Sequence, residues 1–226
     1  MQRILIDFFK FWLLSVLGLC SLLPAENEVS ALVEKGLVLE GRGRDYEAFN
    51  IYNRAHKNGD LLGTAFVGKM YLGGWGVRAD ACRAINYFEF VIQRVRSDSS
   101  LAMIVAKVGL ASAYAEGKCV FINRDIALRL IEEVLFANGG GDYKTKTWNL
   151  DKLQARNFTN AHVRKHYIGA ALYMLGNGAD PTSMAATDVK ILRKAAEFGN
   201  QYALRQLQNT NLPPKPKEFI KEFINY

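Results

Sequence analysis

The sequence predicts an all-α chain, an α-solenoid of about four helix pairs with a C-terminal capping helix, on three observations. Residues 62–91, LGTAFVGKMYLGGWGVRADACRAINYFEFV, carry two apolar stripes at helical spacing on either side of a glycine-rich turn. The spacing of that turn recurs twice more downstream. Only five prolines occur in 226 residues, three of them at 213, 214 and 216, and alternating β-branched runs are few. Two short helices cannot bury both their faces alone, so such units must stack.

Within the central unit, Leu62, Phe66, Val67 and Met70 form the first stripe, and Ala84, Ile85, Phe88 and Val91 the second. Gly74 and Gly76 suit a sharp helix stop, because glycine tolerates positive φ. Asp80 is placed to cap the second helix. Tyr71 supplies a large ring for the wedge between the helices. Taken from Tyr71, the series Val67-Gly68-x-x-Tyr71-x-x-Gly74-x-Gly76-Val77-x-x-Asp80-x-x-Arg83-Ala84 resembles the Sel1-like repeat, a relative of the tetratricopeptide repeat. The resemblance implies a TPR-like solenoid and a role in protein–protein interaction.

The other units follow in order. Residues 28–40 predict a helix with Ala31, Leu32, Val38 and Leu39 as apolar positions, and residues 46–57 a second one with Asp45 as cap and Ala48, Phe49, Tyr52 and Ala55 buried. The short turn at 41–44, with Lys35 at the tyrosine position, marks an N-terminal capping repeat. A polar loop at 96–100 leads to the third unit, 101–138, with Ser99 or Ser100 as cap. Here Tyr114, Gly117 and Asn123 take the places of Tyr71, Gly74 and Asp80, and Cys119 replaces Gly76. The periodicity then breaks at Gly139, and 139–160 is an insertion with a short helix expected at 150–156. The fourth unit starts near Ala161, with Tyr173, Gly176 and Gly178 at the repeat positions and about two extra turn residues at 180–182. A further helix covers 201–208, and the tail 213–226 ends in the amphipathic EFIKEFINY, which serves as a cap or as a docking segment.

Residues 1–25 differ in kind. Arg3 and Lys10 precede the apolar run 11–23, and Pro24-Ala25 leads into Glu26. This is the layout of a secretory signal peptide, so the expected location is a periplasm or the cell exterior, with membrane contact only through this segment if it stays uncleaved. Leu19 before Cys20 argues against a lipoprotein. The formal charge is +7; Arg3, Lys10 and Asp7 carry +1 of it, leaving +6 from residue 26 onward. The sequence pI is about 9.3. A basic surface suits anionic lipid, cell-wall polymer or an acidic protein face. Nucleic acid is not expected, since no arginine-rich run or RNP-type motif occurs.

Chemistry has little to stand on. There is no GxSxG, no Walker loop and no paired-carboxylate pattern, so no enzyme, catalytic residue or cofactor is expected. His162 and His166 are four apart on a helix without a third ligand nearby, so no metal is expected either. Cys82 and Cys119 form a possible disulfide across adjacent units. Candidate protein contacts are Trp75, read as exposed in its turn, Trp148 with Lys144, Lys146 and Lys152 in the insertion, and Phe219 and Phe223 in the tail. The Sel1-like resemblance implies an exported bacterial adaptor or scaffold in an envelope-associated or secretion-type complex. Two alternatives are a cell-wall or β-lactam-acting enzyme or ligand binder of the cysteine-rich Sel1-like type, and a secreted host-interaction factor.

Overall fold

The computed structural model describes residues 29–142, 144–145, 147–158, 161–178 and 188–208. The signal-like segment 1–25, Lys146, the extra turn residues 180–182 and the tail with Phe219 and Phe223 lie outside them. The chain parts into two compact units, Met1–Ser30 and Ala31–Tyr226, and every helix named below belongs to the second.

Among the described residues the architecture is an all-α array. Its helices are α1 (Ala31–Gly41), α2 (Asp45–Lys57), α3 (Leu61–Gly73), α4 (Ala81–Arg94), α5 (Leu101–Glu116), α6 (Arg124–Ala137), α7 (His162–Gly176), α8 (Val189–Glu197) and α9 (Gln201–Gln208). Each helix packs on the next, and α3, α5 and α7, the first helices of successive units, also pack on one another. This is the contact pattern of a stacked solenoid.

The turns explain why the helices stop where they do. Gly74 and Gly117 cap α3 and α5 in the left-handed conformation, at φ 74° and 70°. Two residues on, Gly76 and Cys119 are left-handed as well, at 63° and 61°. The Asp80 carboxylate accepts from the Arg83 backbone N–H (2.9 Å), and the Asn123 side chain accepts from that of Ile126 (3.0 Å). Ser100 caps α5 by accepting from Met103 N–H. These caps satisfy amides that a helix start otherwise leaves bare.

Tyr71 fills the wedge between the first two units. Its ring lies edge-on to Phe49 (5.5 Å) and stacks on Tyr87 (5.8 Å), and its hydroxyl accepts from Arg83 Nη1 (3.0 Å). Tyr173 is buried beside Tyr202, and Tyr114 is half-buried. Phe88, fully buried, sits between two glycines of neighbouring first helices. A Cβ at Gly68 would lie 2.8 Å from its ring, and one at Gly109 2.4 Å, so both backbones approach closer than any other residue permits.

Several expectations need correction. Ala31 and Val38 are exposed, and α1 instead buries Val33, Gly36, Leu39 and Glu40, because Gly36 abuts the Tyr52 ring. Asp45 does not cap α2; it is the first helical residue, Arg44 holds the cap position, and no side chain caps there. The short turn leaves no residue for the role. Phe49 is only half-buried, and Ile51 takes the core place assigned to it. Gly176 is not a turn residue. It closes α7, with Leu192 2.9 Å from where its Cβ would stand, and the left-handed glycine of that unit is Gly178, at φ 62°.

Candidate interaction surface

The insertion after α6 is tied to the array at several points. Gly141–Asp142 (β1) and Thr147–Trp148 (β2) pair antiparallel. The Asp142 carboxylate accepts from Lys144 N–H (2.8 Å), a local bond that favours the tight turn between the strands. In place of one helix at 150–156 there are two short 3₁₀ turns, Leu150–Lys152 and Ala155–Phe158. Leu153 is buried, and Ala155 N–H donates to Glu197 Oε1 (3.2 Å), which fastens the segment to α8. Bonds from Lys194 and Ala155 hold the Glu197 carboxyl below its ordinary range, against an opposing push from desolvation.

Trp148 stacks on Phe136 of α6, with centroids 4.2 Å apart, and keeps 37% of its surface exposed. Phe136 also lines a cleft of about 520 Å³ with Ser97, Asp98, Ser99, Lys107, Glu133 and Ala137. The Lys107 ammonium is buried at this cleft and pairs with Glu133 Oε2 (3.0 Å) and Asp98 Oδ1 (3.4 Å). Arg164 reaches over from α7 to the Ser99 carbonyl and to Asn138 Oδ1. Stacking on a buried ring orders an exposed indole before a partner arrives, which lowers the entropy lost on binding. Lys144 and Lys152 are exposed nearby in sequence. This arrangement suits recognition: the cleft presents a compensated cation, two carboxylates and two serine residues beside an aromatic wall.

Trp75 is not the exposed contact residue that its turn position suggested. Its ring folds back over Gly73, where a Cβ would stand 2.0 Å away, and it lines a small void with Lys69, Leu72, Phe88, Val105 and Gly109. The Lys69 ammonium lies 5.8 Å from its centroid and 5.4 Å from that of Phe66. Trp75 therefore helps to enclose a cation. That cation pairs with Glu40 of α1, and the Tyr52 hydroxyl donates to the same carboxylate (2.9 Å). The pair is almost wholly buried, its side chains 4% and 1% exposed. One sequence signal marks it: Lys69 is a lone charge in an otherwise apolar helix.

Cys82 and Cys119 are bonded, with Cα atoms 5.2 Å apart, and join the start of α4 to the turn of the next unit. His162 is exposed, and His166 is half-buried with its ring edge-on to Tyr167 (5.3 Å). Among the described residues no three His, Cys, Asp or Glu side chains gather as a metal site would need. No helix among them is long and apolar enough to cross a membrane.

No family model matches the chain, and no curated protein matches it. Among solved structures it is similar to the crystal structure of a Sel1 repeat protein from Oxalobacter formigenes. The likeness has 18% identity and a TM-score of 0.43, over 92% of this chain and 90% of that one. The solenoid assignment rests on the chain's own repeated helix pairs and turns.

Proposed function

We propose that this chain is an exported adaptor that holds another protein against the face formed by Trp148, Phe136 and the Lys107 cleft. The observation that carries the reading is Trp148, an exposed indole fixed in place by stacking on a buried ring. Aromatic anchors of this kind, with charged groups beside them, concentrate interface energy. The Sel1-like motif and the stacked helix pairs support a scaffold role, since solenoids bind through extended surfaces. Export rests on the layout of residues 1–25, and placement in an envelope-associated or secretion-type complex follows from export together with the motif.

The test is crosslinking and pull-down from the source cell with the full chain. A discrete protein partner is expected. Trp148→Ala is expected to weaken capture about 30-fold, as for a hot-spot residue worth about 2 kcal/mol, with the helical circular dichroism unchanged. Turnover of muropeptides or a chromogenic β-lactam by the pure protein would overturn this reading in favour of an enzyme.

A further inference from the structure

The turns between α3 and α4 and between α5 and α6 share one backbone register. Asp80 N–H donates to the Tyr71 carbonyl as Asn123 N–H donates to that of Tyr114. On that register Phe121 stands where Arg78 stands, and both are exposed. Phe121 is 96% exposed and Ile122 59%. Folding ordinarily draws such side chains inward. Here the loop is braced around them. Cys119 is bonded to Cys82, Lys118 N–H donates to the Ala113 carbonyl, and Ile122 fills the space that Gly117 leaves open. An apolar tip is thus held outward on a fixed base.

The charge around the tip is mixed, with one cation in excess. Arg78, Arg83, Lys118 and Arg124 stand against Asp80, Glu116 and Asp125. Arg83 pairs with Asp80 and Lys118 with Glu116. Burial raises the pKa of the Glu116 carboxyl, with Lys118 pulling it back. Arg78 has no ion pair among the described residues. Because α3 and α5 pack directly, their turns follow one another at roughly 10 Å along one edge of the array.

We propose that this edge docks on an anionic lipid surface, with Phe121 and Ile122 in the interfacial layer and Arg78 against headgroup phosphates. The shape selects the occupant. A protruding tip offers no cavity for a small ligand, whereas a bilayer accepts an apolar wedge without a matched pocket. A guanidinium fits phosphate oxygens in pairs, and a chain whose formal charge is +6 from residue 26 onward is drawn to an anionic leaflet as a whole. Apolar insertion and basic contacts add to one reversible, salt-sensitive attachment. The adaptor face is a separate surface. Trp148 stacks near the far end of α6, about 20 Å along that helix from this tip, so neither reading depends on the other.

The test uses the full-length Phe121→Trp protein beside its parent, so that difference emission isolates the added indole. Vesicles of phosphatidylglycerol mixed with phosphatidylcholine are compared with phosphatidylcholine alone. The expected result is a blue shift and quenching by brominated acyl chains with anionic vesicles only, both abolished by roughly 0.5 M salt. Arg78→Glu is expected to weaken vesicle affinity at least about tenfold. An added indole that stays solvent-like while the chain sediments with vesicles overturns the proposal. So does an indole that is shielded only when a protein partner is added.

Discussion

Lys69→Ala is expected to lower the unfolding free energy by about 3–5 kcal/mol, and Glu40→Ala by a similar amount. Each change strands the other charge in a site that is nearly closed to water. The Glu40 carboxylate would keep one bond, from the Tyr52 hydroxyl, which does not replace an ammonium. Lys69 would keep its places over Phe66 and Trp75, and cation–π attraction is weaker than the pair. The double variant Glu40→Gln with Lys69→Met is expected to lose much less than the two single losses combined. Neither charge is then left alone, the Tyr52 hydroxyl can donate to the amide oxygen, and the methionine fills the same volume. Urea unfolding followed by circular dichroism measures all of these. Single variants within about 1 kcal/mol of the parent would show that water reaches the pair.

Removal of the Cys82–Cys119 bond is the second large effect. The bond closes a loop of sequence separation 37. Loop-closure entropy assigns such a bond about 4 kcal/mol, so reduction or Cys82→Ser is expected to cost on that order. The choice of partner residue sharpens the test. Cys119 is left-handed at φ 61°, in the register where the preceding unit has Gly76 at 63°. Without the bond a side chain there only adds strain, so Cys82→Ser with Cys119→Gly is expected to be about 1 kcal/mol more stable than Cys82→Ser with Cys119→Ser. Thermal melts of the two double variants decide the matter, and equal stability would contradict it.

The turns and caps were legible in the sequence because their determinants are local. Gly74, Asp80, Gly117 and Asn123 act within four residues of the backbone that they shape. The tyrosine at 71 was legible for a related reason, since a ring at fixed spacing has one wedge to fill. What the sequence did not display depends on how units stack. Glu40 and Lys69 are 29 residues apart and meet only once α1 lies beside α3. Gly68 and Gly109 read as ordinary helix glycines until both prove to flank Phe88. The fold-back of Trp75 is hidden in the sequence because a turn position says nothing of the space beside Gly73. Phe121 carries a local signal, an apolar residue at the turn position where the preceding unit has Arg78.

The claim that this chain is a scaffold whose partner sits beside Trp148 is tested most directly by site-specific photocrosslinking in the source cell. A photoreactive residue at Lys144 would report on the insertion face, and one at Asn86 on the exposed side of α4. The account predicts a discrete protein adduct from position 144, lost with Trp148→Ala, and none from position 86. An adduct from 86 alone, or one from 144 that survives Trp148→Ala unchanged, would contradict it.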